Sequence, residues 1–246
     1  MIYKKRKIIA CLDLGTTKLI CLIAAIENKQ ITILGYGYKE SKGIVSGAIS
    51  DMKLAQNSIT DVVSDAEKMA GVNIDNLIVN LTGSHLTSHR RDVVSKINYN
   101  IIRNSDITNM VNNIRDEYRK NNREIIHLIP LQYKIDGSST VENPRQMAGK
   151  SLFCRFHIIS IPTAVVTNIA NCLKKCQLSI NNYLAESYAS ALGALSDKEM
   201  EFGTLTIDIG GENSSYCLTV DNKLIHAGSF PVGGSHITRD ICAILN

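Results

Sequence analysis

Two short stretches carry the residue types that handle phosphate: LDLGTTK, Leu12 to Lys18, and DIGGENSS, Asp208 to Ser215. In each, an apolar run ends in Asp, Gly stands two positions on, and hydroxyl or amide side chains follow. A hairpin turn of composition D-x-G-T/S brings backbone N–H groups and hydroxyls to one point, where they can hold phosphate oxygens. The Gly lets the backbone approach the anion without an intervening Cβ. An Asp beside phosphate is favourable only with a cation between them, so Asp13 and Asp208 imply Mg²⁺, reached largely through water. One Asp-x-Gly turn has a plainer reading as an ordinary hairpin turn. The weight lies in having two at matching points of a repeat.

That repeat is visible in the elements. Lys7 to Leu14, Lys18 to Ile26 and Ile31 to Tyr38 read as three strands in an antiparallel meander, with ENKQ turning between the last two. Met52, Ala55, Ile59, Val62, Ala66 and Met69 then recur at helical spacing over Asp51 to Ala70, with Asp51 or Ser50 as cap. Leu77 to Thr82 reads as a buried strand joining the sheet in parallel. After Gly83 the chain turns polar, with shorter elements. Ile107, Met110, Val111, Ile114 and Tyr118 trace one helix face there, and HLIPLQYKI and FCRFHIISI read as strands around a turn-rich segment. His85 to Ser160 is taken as an insertion. From Pro162 a helix, a strand through YLAE and a helix from Ser187 to Leu195 resume the first pattern, and SDKEMEFG links onward. Gly203 to Asp208, Ser215 to Val220 and Leu224 to Phe230 repeat the meander, before a helix starting near Ser235.

Composition excludes several classes. The 246 residues carry 27 basic and 23 acidic side chains, a formal charge of +4. Apart from the KKRK at Lys4 to Lys7 the basic residues are scattered, which is no nucleic-acid footprint. No apolar run approaches the roughly 20 residues of a membrane span. Asp13 interrupts the apolar N-terminal stretch and no small-residue cleavage site follows, so a strand is preferred to a secretory signal. Seven cysteines without a CxxC pair read as reduced thiols of a cytosolic protein, and Cys172 and Cys176, four apart on a helix, as small buried hydrophobes rather than metal ligands. His85 and His89 read as a surface turn. There is no GxxxxGK[ST] loop, no GxGxxG opening a helix, no GxSxG and no HExxH.

With Asp13-Leu-Gly-Thr-Thr-Lys18, Glu186-Ser-Tyr-Ala-Ser190 and Asp208-Ile-Gly-Gly211 in that order, the chain resembles the actin-like ATPase superfamily. Within it, SKGIVSGAISD (Ser41 to Asp51), LTGSHLTS (Leu81 to Ser88), HLIPLQYKIDG (His127 to Gly137), NPRQMAGKSL (Asn143 to Leu152) and FPVGGSHITRDICAIL (Phe230 to Leu245) resemble the FtsA family of bacterial cell-division proteins. The resemblance implies an α/β fold of the actin-like, ribonuclease H-like type with an inserted α+β subdomain. Residues 1–84 and 161–195 would be domain 1A, 85–160 an SHS2-like subdomain 1C, and 196–246 the start of an incomplete domain 2A.

Carried over residue by residue, Asp13, Gly15, Thr16, Thr17 and Lys18 would hold the β- and γ-phosphates of ATP with its Mg²⁺. Asp208, Gly210 and Gly211 would do so from the other side, with Asp13 and Asp208 nearest the metal. Glu186 stands where such folds place the acid that orients the attacking water, although an acid at a strand-to-helix junction is also an ordinary helix-cap choice. Partners implied are FtsZ, further copies of the chain and later division proteins, at the cytoplasmic face of the membrane at the division site. At most a weak ATPase is implied.

Two departures qualify this. Glu212 and Asn213 follow Gly211 where the family continues Gly-Thr, so unless Glu212 faces solvent its carboxylate repels phosphate; Asn213 and Ser214 could still donate hydrogen bonds. The rest of 2A, the FtsZ-docking 2B subdomain, the adenosine contact and the amphipathic membrane helix have no counterpart, which predicts exposed apolar surface around Ile207, Leu218 and Ile225. The alternatives are a nucleotide-independent module acting through the insertion, a pilus-assembly scaffold of the same fold, and an actin-fold small-molecule kinase, for which no catalytic Asp is placed.

Overall fold

The computed structural model describes residues 7–137 and 140–245; of the basic cluster at Lys4 to Lys7, all but Lys7 lies outside them. The chain opens with β1 (Lys7–Leu14), β2 (Lys18–Glu27) and β3 (Gln30–Glu40), an antiparallel meander. Leu12 and Leu14 of β1 and Leu19, Cys21 and Ile23 of β2 are buried on one face. Asp13, between Leu12 and Leu14, therefore projects from the other. The short ribbon β4 (Ile44–Val45) and β5 (Ala48–Ile49) leads into α1 (Met52–Ala70). Asp51 caps α1 by accepting from the N–H groups of Lys53 and Leu54, both at 2.9 Å. Gly71 ends it in the left-handed conformation, φ 66°.

Helix α1 lays Ala55, Ile59, Val62 and Ala66 against the sheet. Gly35 and Gly37 of β3 make room for it: a Cβ on Gly37 would lie 1.9 Å from the Val62 carbonyl oxygen. Next, β6 (Asn76–Leu81) pairs in parallel with β1, placing Asn80 opposite Asp13.

A second sheet follows, in the order β7-β10-β8-β9, from β7 (Thr87–Lys96), β8 (Arg123–Ile135), β9 (Thr140–Val141) and β10 (Ser151–Pro162), with α2 (Asn104–Lys120) packed on it. Ile107, Met110 and Ile114 of α2 meet Leu152, Phe156 and Ile158 in a cluster separate from the main core. The polar stretch after Gly83 is thus a ten-residue strand rather than a run of short elements. It stands at the sheet edge, where alternate side chains reach water and charge is tolerated. Arg91 makes a bidentate pair with Glu117 of α2, and Arg155 of β10 one with Asp92 of β7. His85 lies in the preceding turn, but His89 belongs to this strand.

From there α3 (Thr163–Lys175) packs against α1, and β11 (Ser179–Ala185) pairs in parallel with β6 to complete the five-stranded sheet β11-β6-β1-β2-β3. Cys172 is buried on α3 and Cys176 half-buried at its end. Helix α4 (Glu186–Ala194) follows β11 without a break. Ser196 to Gly203, read as a link, contains a one-and-a-half-turn helix, α5 (Asp197–Phe202), set by a reciprocal capping box between Ser196 and Glu199. The second meander is β12 (Thr204–Ile209), β13 (Ser214–Val220) and β14 (Lys223–Phe230), followed by α6 (Gly234–Leu245). Leu205, Ile207 and Ile209 of β12 are exposed, while Leu218 and Ile225 are half-buried. Among the described residues no helix is long and apolar enough to cross a membrane.

Candidate functional site

The two Asp-x-Gly turns meet. In the first, Leu14 pairs with Leu19 and the chain reverses through Gly15, Thr16 and Thr17. A Cβ on Gly15 would stand 2.5 Å from the Lys18 carbonyl oxygen, so this closure requires Gly. In the second, Asp208 pairs with Ser215, and the Gly210 N–H donates to the Asn213 carbonyl at 3.0 Å. A Cβ on Gly211 would fall 2.3 Å from Thr17 Cγ2, so the tips of the two turns are in contact across the cleft. The start of α6 staples the second turn: Gly234 and Ser235 N–H donate to the Gly210 and Gly211 carbonyls at 2.9 and 2.8 Å.

Glu186 enters from a third direction, as the first residue of α4. It lines one cavity of about 120 Å³ with Asp13, the Gly15 to Lys18 turn, Thr82 and Asp208 to Asn213. All nine residues singled out in the sequence are therefore brought together. Each acid has a neutral donor. Asn80 Nδ2 donates to Asp13 Oδ1 at 2.9 Å, Thr82 Oγ1 donates to Glu186, and Ser190 Oγ donates to Asp208 Oδ2 at 2.5 Å. Sequence reasoning assigned no role to these three donors, nor to Gly233, whose missing Cβ leaves room for the Gly210 and Gly211 carbonyls.

Burial sets the electrostatics. It pushes the Asp13 carboxyl up, with Asp208 adding to the effect and the Asn80 hydrogen bond and Lys18 opposing it. It pushes Glu186 up to about 7, helped by Asp208 and Asp13 and opposed by Thr82. Three acids face one another across a space lined by one lysine, an arrangement that favours a bound cation. Among the described residues no three His, Cys, Asp or Glu side chains are placed to hold a metal by themselves. A hard divalent ion here would complete its shell with water and ligand oxygens, as Mg²⁺ does beside phosphates. The side-chain oxygens of Asn80 and Asn213 are buried without a partner, leaving further acceptors beside such a site. The residues thus fit a metal–phosphate group. Glu212 also lines the cavity. The Ser214 hydroxyl does not serve it, because it donates to the Val232 carbonyl at 2.6 Å.

Comparison with known proteins bears on the same architecture. Residues 83–160 match the model of the SHS2 domain inserted in FtsA. The chain is 30% identical over 249 residues to the cell division protein FtsA of Agrobacterium fabrum (strain C58), covering 97% of this chain and 56% of the relative. It is 26% identical over 240 residues to that of Pseudomonas aeruginosa, covering 97% and 58%. The chain therefore spans a little over half the length of the curated relatives it matches. Among solved structures, a PilM–PilN type IV pilus biogenesis complex superposes with a TM-score of 0.70 at 13% identity, covering 96% of this chain and 65% of that one. The ethanolamine utilization protein EutJ from Carboxydothermus hydrogenoformans gives 0.53 at 11% identity, covering 97% and 57%. These likenesses show the fold, and the sequence matches narrow the resemblance: over the length it spans, the chain is similar to the FtsA cell-division proteins, and residues 83–160 match the SHS2 domain inserted in them.

Proposed function

We propose that the chain is the phosphate-gripping part of an FtsA-type cell-division scaffold, binding ATP with Mg²⁺ between its two turns. The observation that carries this reading is the convergence of Asp13, Asp208 and Glu186 with both Gly turns on one cavity. Asp13 and Asp208 would face the metal, and the N–H groups and hydroxyls of Gly15 to Lys18 would take phosphate oxygens from one side, Gly210 and Gly211 from the other. The metal would supply charge neutralisation between carboxylates and phosphates. Glu186, which accepts a hydrogen bond from Thr82, would accept a proton from water, and a carboxyl pushed up to about 7 suits that role.

In this reading the chain works by nucleotide-gated assembly rather than by fast turnover. The inserted subdomain, residues 85–160, would meet further copies or later division proteins, and FtsZ would be engaged by the whole assembly at the inner face of the membrane. Titration with a fluorescent ATP analogue, with and without Mg²⁺ and beside Asp13→Ala and Asp208→Ala, tests it. Saturable, Mg²⁺-dependent binding abolished in both variants is expected, and a folded chain that binds nothing overturns it. One observation favours a second reading, a nucleotide-independent module: Glu212 lines the cavity where phosphate would sit.

A further inference from the structure

The inserted subdomain has a core of its own, shares Ile126 and Ile159 with the main one, and also sends polar side chains to α4 on one side of the cleft and to β14 on the other. On one side, His127 of β8 accepts the Ala185 N–H at Nε2, 3.0 Å away. Ala185 is the residue before Glu186 and caps α4 without any side-chain bond of its own. The His127 ring packs edge-on against Tyr188 of the same helix, centroids 5.5 Å apart. A histidine from the insertion thus fixes the junction that aims the candidate acid.

On the other side, Ser88 of β7 reaches the second meander. Its Oγ accepts the Ala227 N–H of β14 at 3.1 Å and lies 3.3 Å from His226 Nδ1 and 2.6 Å from Nε2 of the fully buried His157. One hydroxyl has one proton and two lone pairs. Two assignments satisfy all three contacts, and the one that suits the buried His157 has its Nε2–H and the Ala227 N–H donating to Ser88, and Ser88 donating to His226. It leaves His157 Nδ1, buried with no partner, as a bare acceptor rather than as an unpaired donor. The Ser229 hydroxyl donates to the Gly83 carbonyl at 2.8 Å and Lys223 to the Leu131 carbonyl at 3.1 Å, so β14 is keyed to the insertion at several points.

Polar side chains are a costly way to fill a seam, since burial holds both His127 and His157 neutral, with values lowered to about 4. Apolar residues would pack there at lower cost but would slide. Directional bonds define one register and are lost together when it changes. We propose that His127 and Ser88 are positioning residues through which the inserted subdomain sets the geometry of both halves of the cleft, so that closure of the turns on a ligand and the state of β7 and β8 are coupled. The coupling rests on the nucleotide reading of the cleft; the positioning does not.

Amide hydrogen exchange on the full chain tests both parts, with His127→Ala, His127→Gln, Ser88→Ala and Ser88→Thr compared at matched global stability. Without any ligand, exchange at Ala185 should rise about tenfold or more in His127→Ala, and at Ala227 in Ser88→Ala. Gln, whose terminal oxygen can stand in for Nε2, and Thr, which keeps the hydroxyl, should restore protection. Unchanged exchange at both amides overturns the proposal whether or not nucleotide binds. With Mg²⁺ and the ATP analogue added, the wild-type chain should gain protection in β7 and β8, and the two Ala variants should bind without transmitting it. Binding that protects the insertion equally in all five proteins overturns the coupling. A wild-type chain that binds nothing removes the nucleotide reading and the coupling with it, and leaves the ligand-free exchange to decide the positioning.

Discussion

Asn80 donates from Nδ2 to Asp13 Oδ1 at 2.9 Å, across the parallel pair of β1 and β6. This bond holds the Asp13 carboxyl down against the burial that raises it. In Asn80→Ala the carboxylate loses its donor, so its titration should move further upward, measurable by carbon-13 NMR of the Asp13 carboxyl. Because the lost bond stabilises the charged carboxylate, the variant should be destabilised by about 1.5–3 kcal/mol where Asp13 is ionised and by less as pH falls through the Asp13 midpoint. An unmoved Asp13 midpoint would show that the bond carries no charge-stabilising role.

Glu186 predicts a pH dependence of the whole fold. Its carboxyl titrates near its ordinary value of 4.5 when unfolded and about 7 in the folded chain. Between those values the native state binds more protons than the unfolded one, so stability is fully present below pH 4.5 and is lost as pH rises to 7. For a shift of this size the loss is about 3 kcal/mol. Denaturant unfolding from pH 5 to pH 8 should show this decline, and Glu186→Gln should flatten it. Mg²⁺ with the ATP analogue should recover part of it at pH 8, because a bound cation takes over the role of the proton.

How much of this was legible before the structure depends on the range of the contacts. The opening meander, α1 with its Asp51 cap and the buried face of α2 follow from spacing along a single element. So did the two turns, since their chemistry is contained in consecutive residues. Strand β7 was not legible, because an edge strand keeps His89, Arg90 and Asp92 exposed and shows no apolar alternation to read. Helix α5 carried its sign, the Ser196 and Glu199 capping box, in a segment too short to show periodicity. Asn80, Thr82 and Ser190 stayed silent for another reason. Each is an ordinary polar residue that gains meaning only from pairing register, as when β6 sets Asn80 opposite Asp13 from 67 positions away.

Helix α1 can approach β3 because Gly37 has no side chain. A Cβ there would sit 1.9 Å from the Val62 carbonyl oxygen and 3.1 Å from Val62 Cγ2, against backbone that cannot rotate away. Gly37→Ala should therefore lower stability by about 1–3 kcal/mol, the usual cost of overpacking. Gly71→Ala forms the contrast: nothing lies within 4 Å of its Cβ, and its φ of 66° alone is strained. Its cost should be smaller, about 1 kcal/mol. Urea midpoints of the two variants check the order, and equal costs would mean that β3 and α1 have room to part.

Glu212 separates the two functional readings. It lines the cavity beside Gly211, where the turn tip touches Thr17. If phosphate sits there, the carboxylate opposes it, and Glu212→Gln, which keeps the size and removes the charge, should tighten Mg²⁺–nucleotide binding by about 1 kcal/mol, roughly fivefold in Kd. Glu212→Gly should tighten it further by clearing the side chain. Gly211→Ala should act in the opposite sense, forcing the turns apart through the 2.3 Å contact with Thr17 Cγ2 and weakening binding with little change in unfolding midpoint. Titration of these three variants under one salt condition checks both signs. Tightening by the Glu212 changes together with weakening by Gly211→Ala would locate the phosphates between the two turns. Indifference to all three would favour the nucleotide-independent module.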